Sequence, residues 1–115
     1  LKLSDMIFNT EESLIVISQE KISIELFLEN LEIEYAKLKN DNLVLDLLAF
    51  SKLSPYNVIS FLELAKRHKK NGKSFVIVSD KVSYDDVPDE ISIVPSLQEA
   101  RDIVEMEEIE RDLGL

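Results

Sequence analysis

The sequence predicts one layered α/β domain, a mixed and mostly parallel sheet of four to five strands with helices packed on it. Three observations predict this class: short apolar runs, amphipathic stretches between them, and a length of 115 residues. Since a domain takes roughly 100 to 200 residues, residues 1–115 are expected to form a single domain. Strands that alternate with helices usually lie parallel and are joined by right-handed crossovers.

The strands are predicted from short apolar runs that polar residues bound on both sides. Such runs are typical of buried strands when they contain β-branched and bulky residues. The runs are 13–18, 42–47, 74–79, 91–94 and, as an edge strand, 2–8. Residues 81–90 are acidic and contain a proline, so they predict a loop with at most one irregular turn.

Each helix is predicted from a capping serine followed by apolar residues at steps of three and four. Ser23 caps the first helix, Ser54 begins a second that continues to Gly72, and Ser96 begins an acidic third helix over 97–113. The inward-facing residues are predicted to be Ile24, Phe27, Leu28, Leu31, Tyr35 and Leu38 in the first helix, Val58, Phe61, Leu62 and Ala65 in the second, and Leu97, Ala100, Ile103 and Val104 in the third.

Composition excludes several classes of function. The chain has 23 acids against 13 bases, and a net charge of −10 opposes binding to nucleic acids and to anionic membranes. The absence of cysteine excludes thiolate metal sites and cysteine nucleophiles, and two glycines cannot build a glycine-rich phosphate loop. We expect a cytoplasmic protein without a membrane segment, a metal or a cofactor.

Few residues are candidates for chemistry, and each also has a structural explanation. His68, the only histidine, lies in a basic stretch over 66–73, where the helix dipole favours cations, so a structural role is favoured. Asp46 lies at the expected carboxyl edge of the sheet, where α/β proteins bind ligands, but hydrogen bonds to loop amides are the favoured explanation. An enzyme would have to pair Asp46 with Ser51 or Ser54, and we expect none.

The C-terminal helix carries two competing interpretations. Residues 99–112 contain seven acids and two bases, and such a charge run is usually a solvated helix face. However, Met106, Ile109 and Leu113 recur at helical spacing beyond the part that covers a small sheet. They predict an apolar stripe for a partner, and the sequence favours neither interpretation over the other.

The stretch 42–78 resembles the STAS domain, the module of anti-sigma factor antagonists and sulphate transporter tails. The resemblance is carried by Asn-Leu-Val-Leu-Asp-Leu, by a helix that ends in Ala-Lys-Arg-His-Lys-Lys-Asn-Gly-Lys, and by Ser-Phe-Val-Ile-Val. It extends over about 13–110 and includes Pro-Ser-Leu-Gln-Glu-Ala at 95–100. It implies a divergent, small stand-alone bacterial member that docks a protein partner, an anti-sigma-like kinase or another regulator.

The family's switch is a phosphorylated serine in Asp-Ser-Ser-Gly at the start of the helix after the central strand. Counting from Asp46, the resemblance places Tyr56 at the phosphorylated serine, Ser54 at the aspartate and Asn57 at the glycine. This departure predicts docking without the usual phosphoserine switch. Ser54 remains a candidate phosphosite, although its role as N-cap is favoured.

The predicted partner-binding surface has Tyr56 as its anchor, because an aromatic side chain with a polar tip is favoured at interfaces. Its members are Phe50, Ser51, Lys52, Ser54, Tyr56, Asn57 and Ser60. The alternative is a pocket for a small ligand, a nucleotide or lipid, at the same edge of the sheet. The sequence is compatible with a monomer and with a dimer.

Overall fold

The computed structural model describes residues 6–115, which contain one mixed five-stranded sheet. The strands are β1 (Ile7–Thr10), β2 (Leu14–Ser18), β3 (Asn42–Asp46), β4 (Phe75–Val78) and β5 (Ser92–Val94), and the helices are α1 (Ile24–Leu38), α2 (Pro55–Ile59), α3 (Leu62–Lys70) and α4 (Leu97–Asp112). The strands lie in chain order, β1 antiparallel to β2 and all other neighbours parallel. The predicted fold class is therefore confirmed.

The central strands β2, β3 and β4 are buried on both faces of the sheet. Successive side chains of a strand point to opposite faces, so these strands supply two separate cores. The larger core is covered by α1, α2 and α3, and the smaller one by α4 alone. From β2, β3 and β4, the larger core receives Ile15, Ile17, Leu43, Leu45, Phe75 and Ile77, and the smaller core receives Leu14, Val16, Val44, Val76 and Val78.

The second predicted helix is divided, which corrects the prediction of one helix from Ser54 to Gly72. At the division the Phe61 amide donates to the carbonyl oxygen of Val58 at 3.0 Å, a bond three residues back that tightens the turn. Phe61 is fully buried, with its ring centroid 6.2 Å from that of Phe27. The tight turn thus allows this large side chain to enter the core.

The edge strand also differs from its predicted bounds. β1 covers Ile7–Thr10, and residues 2–5 of the predicted strand 2–8 lie outside the described part of the chain. The Glu11 amide donates to the carbonyl oxygen of Leu14 at 2.8 Å, which closes a short turn between β1 and β2. This turn fixes the antiparallel register, in which Ile7 lies opposite Ser18.

The connection between β4 and β5 contains one 3-10 turn, Tyr84–Asp86, as the sequence predicts for 81–90. Ser83 caps this turn, because its hydroxyl oxygen accepts from the Asp85 amide at 3.2 Å. Val82 and Val87 on either side are buried in the larger core. Among the helices of residues 6–115, none is long and apolar enough to cross a membrane.

Candidate functional site

The carboxyl ends of the parallel strands β2 and β3 lie side by side, and the loops that follow them enclose an open hollow of about 400 Å³. Ligands in open α/β sheets bind at this edge. Four of the seven predicted partner-binding residues line the hollow, namely Phe50, Ser51, Lys52 and Asn57. The structure therefore brings these four together on one side of a concave surface.

Tyr56 lies outside the hollow, on the solvent side of α2. Its side chain is 82% exposed, and Ile59, one turn further along the helix, is 37% exposed. Residues three apart on a helix are neighbours, so the two side chains form a small apolar surface. The tyrosine ring is in water and not in the core, the position that an interface anchor requires.

The start of α2 is held by a reciprocal capping arrangement. The Asn57 amide donates to the Ser54 hydroxyl oxygen at 3.2 Å, and the Ser54 amide donates to Asn57 Oδ1 at 3.0 Å. The Ser54 hydroxyl also donates to Asn57 Oδ1 at 2.9 Å, and the Ser60 hydroxyl donates to the Asn57 carbonyl oxygen. The predicted N-cap role of Ser54 is confirmed, and Tyr56 is presented on a fixed backbone.

Phe50 is the most enclosed of the predicted surface residues. It is half-buried, and its ring centroid lies 6.0 Å from that of Phe27 in the larger core. Its amide donates to the carbonyl oxygen of Leu47 at 3.1 Å, which turns the chain after β3. Phe50 therefore shapes the wall of the hollow, while Ser51 and Lys52 are exposed.

Asp46 has the local role that the sequence favours. Its Oδ1 accepts from the Leu48 amide at 3.0 Å and so orders the turn at the end of β3. The Ser54 hydroxyl bonds to Asn57 and not to Asp46, so these two residues do not form a nucleophile and base pair. Within residues 6–115, no three histidine or carboxylate side chains cluster as metal ligands.

The other wall of the hollow was not predicted. It is formed by the loop after β2 and the first turn of α1, over residues 19–25. Lys21 has a φ of 57°, a left-handed conformation that costs a non-glycine residue roughly 1–2 kcal/mol. Ser23 then caps α1 by accepting from the Leu26 amide at 3.2 Å. The sequence signal was present, because polar residues follow a buried strand parallel to β3.

His68 has a structural role, as predicted, but not the cationic role expected at a helix C-terminus. It is fully buried, and its Nε2 lies 2.7 Å from the carbonyl oxygen of Asp41. A carbonyl oxygen only accepts, so Nε2 carries the proton and Nδ1 accepts from the Tyr35 hydroxyl at 2.7 Å. Burial lowers the pKa of His68, although the bond to Asp41 opposes this, and the lowered pKa favours the neutral ring.

The acidic helix α4 has an exposed apolar side and a side that packs on the sheet. Met106, Ile109 and Leu113 are exposed as an apolar stripe, while Ala100 and Val104 are buried against the sheet. Of the seven acids in 99–112, Glu107 and Glu108 depart from the interpretation of a solvated helix face. Both are half-buried and accept hydrogen bonds at the amino ends of β4 and β3.

Comparison with known proteins identifies the fold. No protein-family model matches the chain, and no curated protein matches it. A solved structure of RsbS from Moorella thermoacetica, in a variant with glutamate in place of a serine, matches with a TM-score of 0.56 and 16% sequence identity. The match covers 85% of this chain and 95% of that one. RsbS is a STAS-domain anti-sigma factor antagonist, and the similarity shows that this chain has a STAS-like α/β fold.

Proposed function

We propose that this protein is a non-enzymatic interaction module that regulates a protein partner by docking, in the manner of anti-sigma factor antagonists and without a phosphoserine switch. The docking surface consists of the exposed face of α2 and the adjoining rim of the hollow. Its members are Phe50, Ser51, Lys52, Ser54, Tyr56, Asn57 and Ser60. The fold shared with RsbS supports this class of function.

The exposed side chain of Tyr56 is the observation that carries the proposal. Tyrosine offers a large apolar ring and a hydroxyl group, and it loses little conformational entropy when an interface immobilises it. The reciprocal bonds between Ser54 and Asn57 fix the backbone below the ring. A partner that covers Tyr56 therefore meets a surface that is already ordered, which lowers the cost of binding.

The same bonds support docking without phosphorylation of Ser54. Its hydroxyl oxygen accepts from the Asn57 amide, and its hydroxyl hydrogen is donated to Asn57 Oδ1. A phosphate on this oxygen would remove the donated bond and place roughly −1.5 to −2 charges in the capping arrangement. In the unphosphorylated protein, the Ser54 hydroxyl thus uses both of these hydrogen bonds to stabilise the start of α2.

The experiment compares two exposed tyrosines by affinity purification from source cells and mass spectrometry. Tyr84, 70% exposed on the loop between β4 and β5, is the matched control for Tyr56. We expect Tyr56→Ala to lose the partner and Tyr84→Ala to keep it, with both thermal unfolding midpoints unchanged. Equal partner recovery by Tyr56→Ala contradicts the proposal, and phosphate on Ser54 in the purified protein contradicts its switch-free form.

A small-ligand site is the second candidate, favoured by the hollow itself. Its volume of about 400 Å³ falls within the range of roughly 300 to 1,000 Å³ for ligand pockets, but it is open to solvent on one side. A thermal-shift screen with nucleotides and lipid headgroups tests this candidate. Stabilisation that Lys52→Ala removes would favour the ligand over the protein partner.

A further inference from the structure

We propose that the outer face of α4 binds a basic amphipathic helix of a protein partner, at a site separate from the surface around Tyr56. α4 covers the smaller core alone, on the opposite face of the sheet from α2. The protein therefore presents two docking surfaces that point away from each other.

The proposed site is an apolar stripe on α4. Met106 and Ile109 are each 53% exposed, and Leu113 is 68% exposed. Their spacing of three and then four residues places them on one side of the helix, opposite the buried Ala100 and Val104. The stripe is thus not needed to cover the sheet, and an apolar stripe left in water is typical of an interaction site.

Polar contacts fix the orientation of this helix. The Ser74 hydroxyl donates to Glu107 Oε1 at 2.6 Å, and Asn42 Nδ2 donates to Glu108 Oε2 at 3.0 Å. Arg111 donates to both Ser74 Oγ and Asn42 Oδ1 at 3.2 Å. These bonds hold the opposite side of α4 against the amino ends of β3 and β4, so the stripe cannot rotate inward.

The end of the stripe is closed by a turn of defined geometry. Gly114 has a φ of +73°, which suits glycine, and its amide donates to the Arg111 carbonyl oxygen at 3.1 Å. The Leu115 amide donates to the Glu110 carbonyl oxygen at 2.9 Å, which completes a Schellman motif. Leu115 is thereby folded back, and together with the stripe it lines a groove of about 350 Å³.

The charges beside the stripe specify the chemistry of its occupant. If Met106 and Leu113 are assigned to heptad position a and Ile109 to d, the flanking positions e and g include Glu105, Glu110 and Asp112. All three are exposed acids. Flanking charges select the partner in helix pairs, so the complementary helix carries apolar residues at a and d and Lys or Arg at e and g.

A second copy of this chain does not meet these requirements. Two α4 stripes placed together would bring acids against acids, in a chain whose net charge is already −10. The basic surface of α3 does not fit either, because its groove is lined only by charged residues: Glu63, Lys66, Arg67, Lys69, Lys70 and Glu90. A separate basic helix is the occupant that matches both the apolar stripe and its acidic border.

The test uses synthetic fluorescein-labelled peptides of about 18 residues, five helical turns, and measures anisotropy at roughly 0.15 M salt. One peptide has Leu at a and d and Lys at e and g, a second has Glu at e and g, and a third scrambles the first. We expect binding of the first peptide and at least tenfold weaker binding of the others. Ile109→Gln should weaken binding at least tenfold, while Ile33→Gln, at an equally exposed isoleucine of α1, should not.

Charge reversal completes the test. The triple variant Glu105→Lys, Glu110→Lys and Asp112→Lys should prefer the Glu-flanked peptide. Equal binding of the scrambled peptide would reduce the effect to general charge attraction and overturn the proposal. A wild-type dimer in sedimentation that Ile109→Gln dissociates would also overturn it. Tyr56→Ala should leave peptide binding unchanged, so this proposal and the one for α2 fail separately.

Discussion

The two ends of the parallel strands are held by different kinds of hydrogen bond. At the amino ends, side chains connect elements that are distant in sequence: Asn42 Nδ2 donates to the Ser13 carbonyl oxygen and Asn42 Oδ1 accepts from the Ser74 amide, both at 2.8 Å. At the carboxyl ends, most side-chain hydrogen bonds stay within one loop, as the bond of Asp46 to the Leu48 amide does, although Gln19 Oε1 accepts from Asn30 Nδ2 of α1 at 3.2 Å. Side chains thus connect the strands to each other at the amino ends and mainly order single turns at the carboxyl ends.

This difference separates stability from recognition. Bonds between distant elements form only in the complete fold, so their loss weakens the whole domain. Local caps hold single turns and leave neighbouring side chains free to meet a partner, as around Tyr56. Residues that bind tend to lie on loops positioned by a rigid scaffold. We therefore expect substitutions at the amino ends to lower stability more than substitutions at the carboxyl ends.

The largest loss of stability is expected for Asn42→Ala. Asn42 is 2% exposed and joins the starts of β2, β3 and β4, so its removal leaves the Ser13 carbonyl oxygen and the Ser74 amide without this partner. Ser74 is fully buried and Ser13 is exposed, so the Ser74 amide carries most of the cost. An unsatisfied buried group costs about 1–3 kcal/mol, and we expect a loss of this size in the free energy of unfolding. Urea denaturation measures it.

The matched control is Asn40→Ala, an exposed residue in the turn just before β3. A surface substitution of this kind usually changes stability by less than about 0.5 kcal/mol. If the two variants unfold at the same urea concentration, the amino ends of the strands are not the region that holds the domain together.

The second effect is a loss of stability in mild acid caused by His68. Burial lowers the pKa of His68 in the folded protein, so the unfolded chain takes up its proton first as the pH falls. The contribution of neutral His68 to the free energy of unfolding is fully present above about pH 6.5, the ordinary histidine pKa. Below that pH the contribution falls by up to about 1.4 kcal/mol per pH unit, until the pH reaches the pKa of His68 in the folded protein. Urea denaturation between pH 7.5 and roughly pH 5 measures this slope.

His68 is the only histidine, so His68→Leu supplies a direct control. The variant is expected to be less stable, because the Tyr35 hydroxyl and the Asp41 carbonyl oxygen lose their partner, but to show no slope in this pH window. The carboxyl pKa values of Glu11 and Asp80 are lowered by hydrogen bonds from Arg101 and Lys81, and their contributions are lost only in stronger acid. A slope that persists in His68→Leu would assign the effect to other groups.

The same contrast explains what the sequence could predict. The capping roles of Ser23, Ser54 and Ser96 were predicted correctly, because each acts on an amide three residues away in the chain. The mostly parallel sheet followed from alternating strands and helices. Such features depend on local sequence, and they fix most of the fold.

What the sequence missed depends on contacts between distant residues. His68 bonds to Tyr35 and Asp41, which are 33 and 27 positions away, so its neighbours in the basic stretch gave no sign of its burial. Glu108 bonds to Asn42, 66 positions away, for the same reason. In the candidate site, the sequence pointed to residues 50–60, which follow β3, whereas the wall supplied by residues 19–25 follows another strand.

The smallest loss of stability is expected for Ser54→Ala, in the loop that follows the carboxyl end of β3. The variant loses the acceptor for the Asn57 amide, and removal of an N-cap costs about 1 kcal/mol. Hydrogen exchange should report faster opening of α2 amides and unchanged protection of β3 and β4, because α2 is a helix of five residues with its own cap. Ser51→Ala, at an exposed serine of the same loop, should change neither measurement. Faster exchange throughout the sheet in Ser54→Ala would mean that the cap supports the whole domain, and the distinction between the two ends would fail.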